Sequence, residues 1–492
     1  MRLNPELLYK QANSKESGAS KLSRYGWSRL VRCATVFLSL LALFAAVVAG
    51  SAPGRALIGH TKSRGTQGVG VHVVMISIDG MVPDYYTHPE ALNLKVPTMV
   101  SMAHDGGYAD GVEGVYPTIT YPAHTTLITG VRPAAHGIVQ NTIFEAPTDP
   151  QTKAWYWYSK SLKTDTLWSQ AKKAALTTAA VGWPVTVGAD IDYNVPEIWD
   201  PMEQPITGRR SIELSTPGLI GKAFPNGVTS RGDEFRTEAS EFILKSYKPN
   251  LMIIHLAELD STHHLAGPRT PAAIAMAEKQ DGYIKRIVDA TREGGFFDTT
   301  TFFIVSDHGF AAVNKDFEPN VVLAQAKLIT LDAQGKPVAW KAAAWPAGGS
   351  CAIVLHDPAD KETARQVTAL FSDIAKRKDS PISNVVVRND LNKLEAIPEA
   401  LLMLDGAEGY TFGGAFTGQE VHPTAATYRG THGYLPTKPL MRSSLIVFGR
   451  SARPGSHLPL ARMVDIGPTA ASILGLSLPR AEGRPIRALT KP

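Results

Sequence analysis

The chain has 492 residues and is 44% hydrophobic, enough for a large buried core, and its 50 basic against 45 acidic residues leave a net charge of +5. Part of that excess falls before residue 35, and no basic run interleaved with aromatics follows, which argues against a nucleic-acid polymer as partner. The two cysteines, Cys33 and Cys351, exclude a scaffold built on disulfides.

Residues 34–49 (ATVFLSLLALFAAVVA) are apolar and uncharged, and Lys21, Arg24, Arg29 and Arg32 precede them. The run suits the core of a signal peptide better than a bilayer span, which needs about 20 residues. Val47 and Ala49 offer a cleavage site before Gly50, although the long leader upstream keeps an uncleaved anchor open. Residues 1–50 are therefore expected to be a signal peptide or signal anchor, with 51–70 a linker rich in glycine, serine and arginine. The expectation is export to the periplasm or the extracellular space, with tethering to the membrane through residues 34–49 if the segment stays. Cys33 lacks an apolar lipobox before it (Leu30-Val31-Arg32), so no lipoprotein is read.

Beyond the linker, apolar runs of strand length alternate with helical patterns. The spacing predicts a buried strand over 72–78 ending in Asp79-Gly80, a helix over 97–105 and a strand over 108–115. A helix is predicted from Thr120 to Thr129, with Pro122 in its first turn and Gly130 as its stop. Next come a helix over 164–174, a strand over 177–182, a helix over 232–246 and a strand over 251–256 that runs into Glu258-Leu259-Asp260. A long helix over 271–292 leads to a strand over 300–305 ending in Ser306-Asp307-His308-Gly309. A strand over 443–448 and a helix over 463–474 close the series. The alternation implies an α/β domain with a mostly parallel sheet and helices on both faces. Residues 314–422 differ in texture, with a hairpin predicted between 337–344 and 351–355, a helix over 361–377 and a strand over 383–387. They read as a small α+β cap insertion in a catalytic domain made of 71–313 and 423–492.

Acidic or histidine-bearing turns follow three strands, at Asp79, at Asp260 with His264, and at Asp307-His308, and Thr431-His432 precedes the last strand. In parallel α/β sheets ligands bind beyond the carboxyl ends of strands, so these groups can converge on one edge. Thr120 joins them at a helix start, where free N–H groups and the helix dipole favour an anion. Three aspartates, three histidines and a hydroxyl suit zinc, and two such sets suit two-metal phosphoryl transfer.

The motifs resemble the nucleotide pyrophosphatase/phosphodiesterase family of the alkaline phosphatase superfamily, over 71–313 and again over 431–483. The family's T-x-T-[FY]-P-x-H stands at Thr118–His124, its P-x-x-H-G-I-x-x-N at Pro133–Asn141, its E-x-D-x-x-x-H-x-x-G-P at Glu258–Pro268 and its S-D-H-G at Ser306–Gly309. The resemblance implies an alkaline-phosphatase-like fold, two divalent ions with zinc first among them, and Thr120 as nucleophile passing through a phospho-threonine. It implies one metal held by Asp260, His264 and His432, and another by Asp79, Asp307 and His308 with Thr120 joining it. Asn141 would donate to a phosphate oxygen. Read from the residue itself, Tyr121 could receive a substrate's second substituent by stacking, and His255 stands where the family commonly has a substrate-contacting tyrosine.

The chain departs from the family at His263, which replaces a glycine and fits the register only if His264 is the ligand. Ala123 replaces a common asparagine and Val185 a glycine after Trp183-Pro184, which leaves the substrate pocket less defined than the metal site. His124, His136 and Cys351 are read as packing residues. The expected activity is hydrolysis of phosphodiester or phosphoanhydride bonds in small nucleotide-like molecules. The alternatives are a phosphonoacetate hydrolase or phosphomonoesterase of the same superfamily, a phosphoethanolamine-type transferase, and a metal-binding protein without catalysis. A transferase of that kind would usually carry several membrane spans, and only one apolar segment is present.

Overall fold

The central sheet is built from short strands, β1 (His72–Ile78), β2 (Gly107–Glu113), β3 (Thr178–Val181), β4 (Tyr193–Val195), β5 (Leu251–Leu256) and β6 (Thr300–Val305), of which β1, β3, β5 and β6 are mostly apolar while β2 carries Asp110 and Glu113. The computed structural model describes residues 70–199 and 208–491. Every residue of β1, β3, β5 and β6 is buried, as expected for parallel strands covered on both faces. The nine-stranded sheet runs Ser456–Leu458, β2, Ser443–Gly449, β6, β1, β5, β3, β4, with Ala461–Arg462 also on β2. β1 pairs parallel with β5 and β6, and β3 parallel with β4 and β5. Ser443–Gly449 is the antiparallel exception, lying between β2 and β6.

Alternate residues of β1 enter two separate cores. Val74, Ile76 and Ile78 pack with Ile243 and Leu244 of the Gly232–Tyr247 helix and with Ile284 and Ile287 of the Pro271–Glu293 helix. Val73 and Met75 pack on the other side with Leu127 and Ile128, with Leu167, and with Ile466 and Ala470 near the C-terminus. This is the alkaline-phosphatase-like α/β sandwich expected from the alternation of elements.

A four-stranded antiparallel sheet lies in the order Ala342–Ala347, Ser350–Leu355, Ala400–Gly406, Ile382–Val387. One face buries Ile353, Leu402 and Leu404 against Val367 and Phe371 of the Lys361–Ala375 helix. The opposite face buries Ala352, Val354 and Met403 against Tyr116 and Val139, which flank the Thr120 segment. The hairpin expected between 337–344 and 351–355 divides differently. Ala342–Ala347 pairs with Ser350–Leu355, whereas Pro337–Trp340 pairs with Ile329–Leu331. The division falls at Lys341, whose N–H bonds to the Leu328 carbonyl, and the tight turn is made at Gly348 with φ of +65°. A strand not read from sequence, Ala311–Phe317, pairs with Gly409–Phe412, Val421–Pro423 and Gly430–Thr431.

The apolar segment 34–49 lies outside the described residues. Among the described residues no helix is long and apolar enough to cross a membrane.

Candidate metal centre

The Thr120–Thr129 helix begins at Thr120 itself, after an extended Ile119, and ends at Gly130 in the left-handed conformation. Every residue of this helix is buried, so its start is fixed by packing on all sides. Thr118, two residues earlier, fastens the start to the segment carrying His432. Its hydroxyl donates to the Tyr434 carbonyl at 2.8 Å and accepts from the Gly433 N–H at 3.1 Å, and its carbonyl accepts from His432 Nδ1 at 3.0 Å.

Asp79 follows β1, Asp260 lies in the helix Glu258–Ala266 that follows β5, and Asp307-His308 follows β6. Because these strands are neighbours and parallel, their ends reach the same edge. Asp79, Asp307 and His308 each bring a ligand atom within 4.8 Å of the others, and so do Asp260, His308 and His432. His264 joins the second set through Asp260, its Nε2 lying 3.4 Å from Oδ2, while His432 Nε2 lies 3.5 Å from Oδ1. Thr120 Oγ1 is 3.5 Å from His308 Nε2. His263 faces the other way, its Nε2 2.9 Å from the Tyr85 hydroxyl in the core.

The donor sets fit divalent cations in two independent respects. Asp79 Oδ1, Asp260 Oδ1 and Asp307 Oδ2 are buried without a hydrogen bond, a costly condition for carboxylate oxygens unless a cation serves them. His264, His308 and His432 each turn Nδ1 to a backbone carbonyl, at 2.9 Å (Gly430), 3.2 Å (Gly309) and 3.0 Å (Thr118). With Nδ1–H so engaged, each ring presents the Nε2 lone pair to the cluster. Burial, then the nearby Asp307 and Asp260 carboxylates, push Asp79 well above the usual carboxylate range. That repulsion is what positive charge at the centre would relieve. Asp307 moves the other way: burial would raise it, but His308 holds it well below.

Asn141 is placed to act as a donor. Its Oδ1 accepts the Tyr121 N–H at 2.8 Å, which leaves the amide nitrogen for another partner. Two sequence expectations are corrected here. Tyr121 is 0% exposed, with its hydroxyl on Glu197 Oε1 at 3.1 Å and its ring edge-on to Trp155, so it cannot stack on a substrate base. His255 is also 0% exposed, with Nε2 3.0 Å from Asp79 Oδ2 and Nδ1 2.8 Å from Glu197 Oε2. It supports a carboxylate and touches no substrate space. Burial alone would lower its pKa, but Glu197 and Asp79 raise it to about 10. His124 and His136 are buried packing residues, and burial brings both down to about 3. Cys351 is buried in the core between the four-stranded sheet and the Lys361–Ala375 helix, and burial holds its thiol well above the ordinary value.

The space beside the centre is walled by residues not identified from sequence. A cavity of ≈ 230 Å³ is lined by Asn141, His264 and His432 together with Trp155, Pro346 and Tyr428. Tyr428 stacks on the His264 ring at 5.2 Å and 19°. Gln140 closes the turn by donating to the Pro346 carbonyl at 3.0 Å. The aromatic run Trp155-Tyr156-Trp157 was the available sign of this wall, and Tyr428 carried none.

Residues 73–435 match the family model described as Type I phosphodiesterase / nucleotide pyrophosphatase. The human Ectonucleotide pyrophosphatase/phosphodiesterase family member 1 is 24% identical over 249 residues, 48% of this chain and 23% of that protein. The human Bis(5'-adenosyl)-triphosphatase ENPP4 is 23% identical over 442 residues, 85% of this chain and 82% of that one. The chain thus spans about a quarter of the first relative and most of the second. Human ectonucleotide pyrophosphatase / phosphodiesterase 5 shares the fold with a TM-score of 0.61 at 18% identity, covering 86% of this chain and 100% of that structure. An inactive threonine-to-alanine variant of the murine protein, solved in complex with AMP, matches equally at 17% identity, with the same coverage. The chain belongs to the type I phosphodiesterase / nucleotide pyrophosphatase family.

Proposed function

We propose that this protein is an exported two-metal phosphodiesterase and nucleotide pyrophosphatase that works through Thr120. The observation that carries the reading is the placement of the Thr120 hydroxyl, at a helix start, beside two carboxylate–histidine sets, each with buried carboxylate oxygens that take no hydrogen bond. Asp79, Asp307 and His308 would hold one ion together with Thr120, and Asp260, His264 and His432 the other. The donor set of carboxylates and imidazoles suits zinc. Bound there, the ions supply Lewis-acid stabilisation of the attacking and leaving oxygens.

Thr120 Oγ1 attacks phosphorus in line, forming the Oγ–P bond as the bond to the leaving oxygen breaks. The hydroxyl proton is lost to solvent and the leaving oxygen takes one up. The Asn141 amide donates to a non-bridging oxygen as charge develops, an effect of the kind that costs several kcal/mol when removed. Water then cleaves the Oγ–P bond and returns the threonine hydroxyl. The organic substituent rests in the cavity against Trp155 and Tyr428, which takes over the role expected of Tyr121. Among the described residues, neither a lysine nor an arginine lines that cavity. A monoester brings an extra negative charge that such a wall does not compensate, so the site favours a diester or a pyrophosphate bond. The 314–422 segment is read as a cap that shapes this wall through Pro346–Gly348. The relatives' printed names, ectonucleotide enzymes, support placement outside the cell, consistent with a signal peptide or anchor at 34–49.

The test compares kcat/KM for bis-p-nitrophenyl phosphate, a nucleotide p-nitrophenyl ester and p-nitrophenyl phosphate. Preference for either diester supports the reading, and preference for the monoester contradicts it.

A further inference from the structure

The three aspartates of the centre each present one oxygen that takes no hydrogen bond and lies near His308 or His432, but their second oxygens are held differently. Asp307 Oδ1 takes the backbone N–H groups of Gly80 and His308, both at 3.0 Å. Asp260 Oδ2 lies by His264, itself a proposed ligand. Asp79 Oδ2 is held by a side chain outside both sets, His255 Nε2 at 3.0 Å. The strand register explains the contact: Ser77 stands opposite His255 and Ile78 opposite Leu256, so the ring reaches the residue just past the end of β1.

His255 is held in turn. Its Nδ1 lies 2.8 Å from Glu197 Oε2 and 3.0 Å from the Gly182 carbonyl, and Arg236 donates to the same Glu197 oxygen at 3.0 Å and to the His255 carbonyl at 2.9 Å. The Tyr121 hydroxyl occupies Glu197 Oε1 at 3.1 Å. Glu197 is 6% exposed, and a buried carboxylate persists only where such partners satisfy it. The chain Arg236–Glu197–His255–Asp79 thus carries fixed side-chain orientation from the Gly232–Tyr247 helix to the metal centre.

We propose that Glu197 and His255 are positioning residues that engage Asp79 Oδ2 and so confine Asp79 to binding its metal through Oδ1 alone. The proposal rests on the two-metal reading. An outer partner of a metal ligand typically contributes 10–100-fold in metal affinity. Asp307 gains its orientation from backbone, which no substitution removes, whereas the Asp79 clamp is made of side chains and can be taken away.

The experiment is zinc titration of metal-stripped protein against a chromophoric chelator, on wild type, Glu197→Gln, His255→Gln and His255→Ala. Glu197→Gln keeps the size of the side chain and an oxygen for its neighbours. The expected result is two zinc ions in wild type, with one weakened about 10–100-fold in Glu197→Gln and His255→Ala and the other unchanged. His255→Gln, whose amide can still donate to Oδ2, should recover part of the loss. Melting temperature of the metal-stripped protein should fall in Glu197→Gln, because the largely buried Arg236 loses the Glu197 counter-charge, so the deciding readout is whether one ion or both are weakened. Wild-type affinity for both ions in Glu197→Gln and His255→Ala would overturn the proposal and leave the two-metal reading standing. Equal weakening of both ions would overturn it in favour of a purely structural role. A wild type that binds no zinc would remove the two-metal reading and the proposal with it.

Discussion

The two walls of the candidate site are built on different principles. One is made of strand ends, Asp79, Asp307-His308 and the Asp260 helix, set by the register of three adjacent parallel strands. The other is made of Gln140, Trp155, Pro346 and Tyr428, drawn from segments that lie far apart in sequence, with only Pro346 in the four-stranded sheet. The first wall carries charge and presents carboxylate oxygens that take no hydrogen bond. The second is largely aromatic and uncharged: Gln140 donates to the Pro346 carbonyl, Trp155 packs on Tyr121, and Tyr428 stacks back on His264 of the first wall. Strand pairing fixes the first wall, while the second depends on long-range packing and touches the first where Tyr428 stacks on His264.

The largest effect is expected at the shared corner of the two walls. Thr120→Ala should lower turnover by several orders of magnitude while metal content stays near two per chain, measured by elemental analysis of the purified protein. Near-normal turnover would show that the strand-end wall acts without this hydroxyl. Next come the adjacent histidines. His264→Ala should lose the ion it shares with His432, and added zinc should not fully restore activity. His263→Ala should bind both ions and suffer mainly in melting temperature, because its partner is Tyr85. Equal loss in metal content from the two variants would reverse the assignment.

Stability separates the walls further. Tyr121→Ala removes a fully buried ring and should cost about 3–5 kcal/mol, read by denaturant unfolding. Trp155→Ala should leave stability nearly intact and raise KM for nucleotide esters more than for a small diester. The two outcomes interchanged would return the substrate contact to Tyr121. The smallest effect expected is at the seam. Thr118→Val removes two buried hydrogen bonds that bind the Thr120 start to the His432 segment, for about 1–3 kcal/mol in unfolding free energy.

The strand-end wall was legible in the sequence because its residues sit in short motifs attached to apolar runs of strand length. A parallel sheet then delivers such residues to one edge without further information. His255 and Tyr121 were misjudged for a reason of the same kind. Tyr121 follows the expected nucleophile and His255 stands at a position where the family commonly contacts substrate, yet strand pairing turns His255 onto Asp79 and helix packing turns Tyr121 onto Glu197. Glu197 itself gave no signal, since its role exists only through partners 39 and 58 positions away. The 337–344 hairpin went wrong at Lys341 because alternating apolar residues on either side read as one strand. Two different partners, Ile329–Leu331 and Ser350–Leu355, divide that run. Tyr428 and Pro346 could not be found by pattern, because nothing in their own sequence neighbourhoods specifies the long-range packing that brings them to the site.

The central claim is that Thr120, rather than water, makes the first attack on phosphorus. The stereochemical course of hydrolysis tests it most directly, using a diester made chiral at phosphorus with sulfur and isotopic oxygen. Two successive in-line displacements, through Thr120 and then water, predict net retention of configuration. Net inversion would mean a single direct attack by water and would contradict the account.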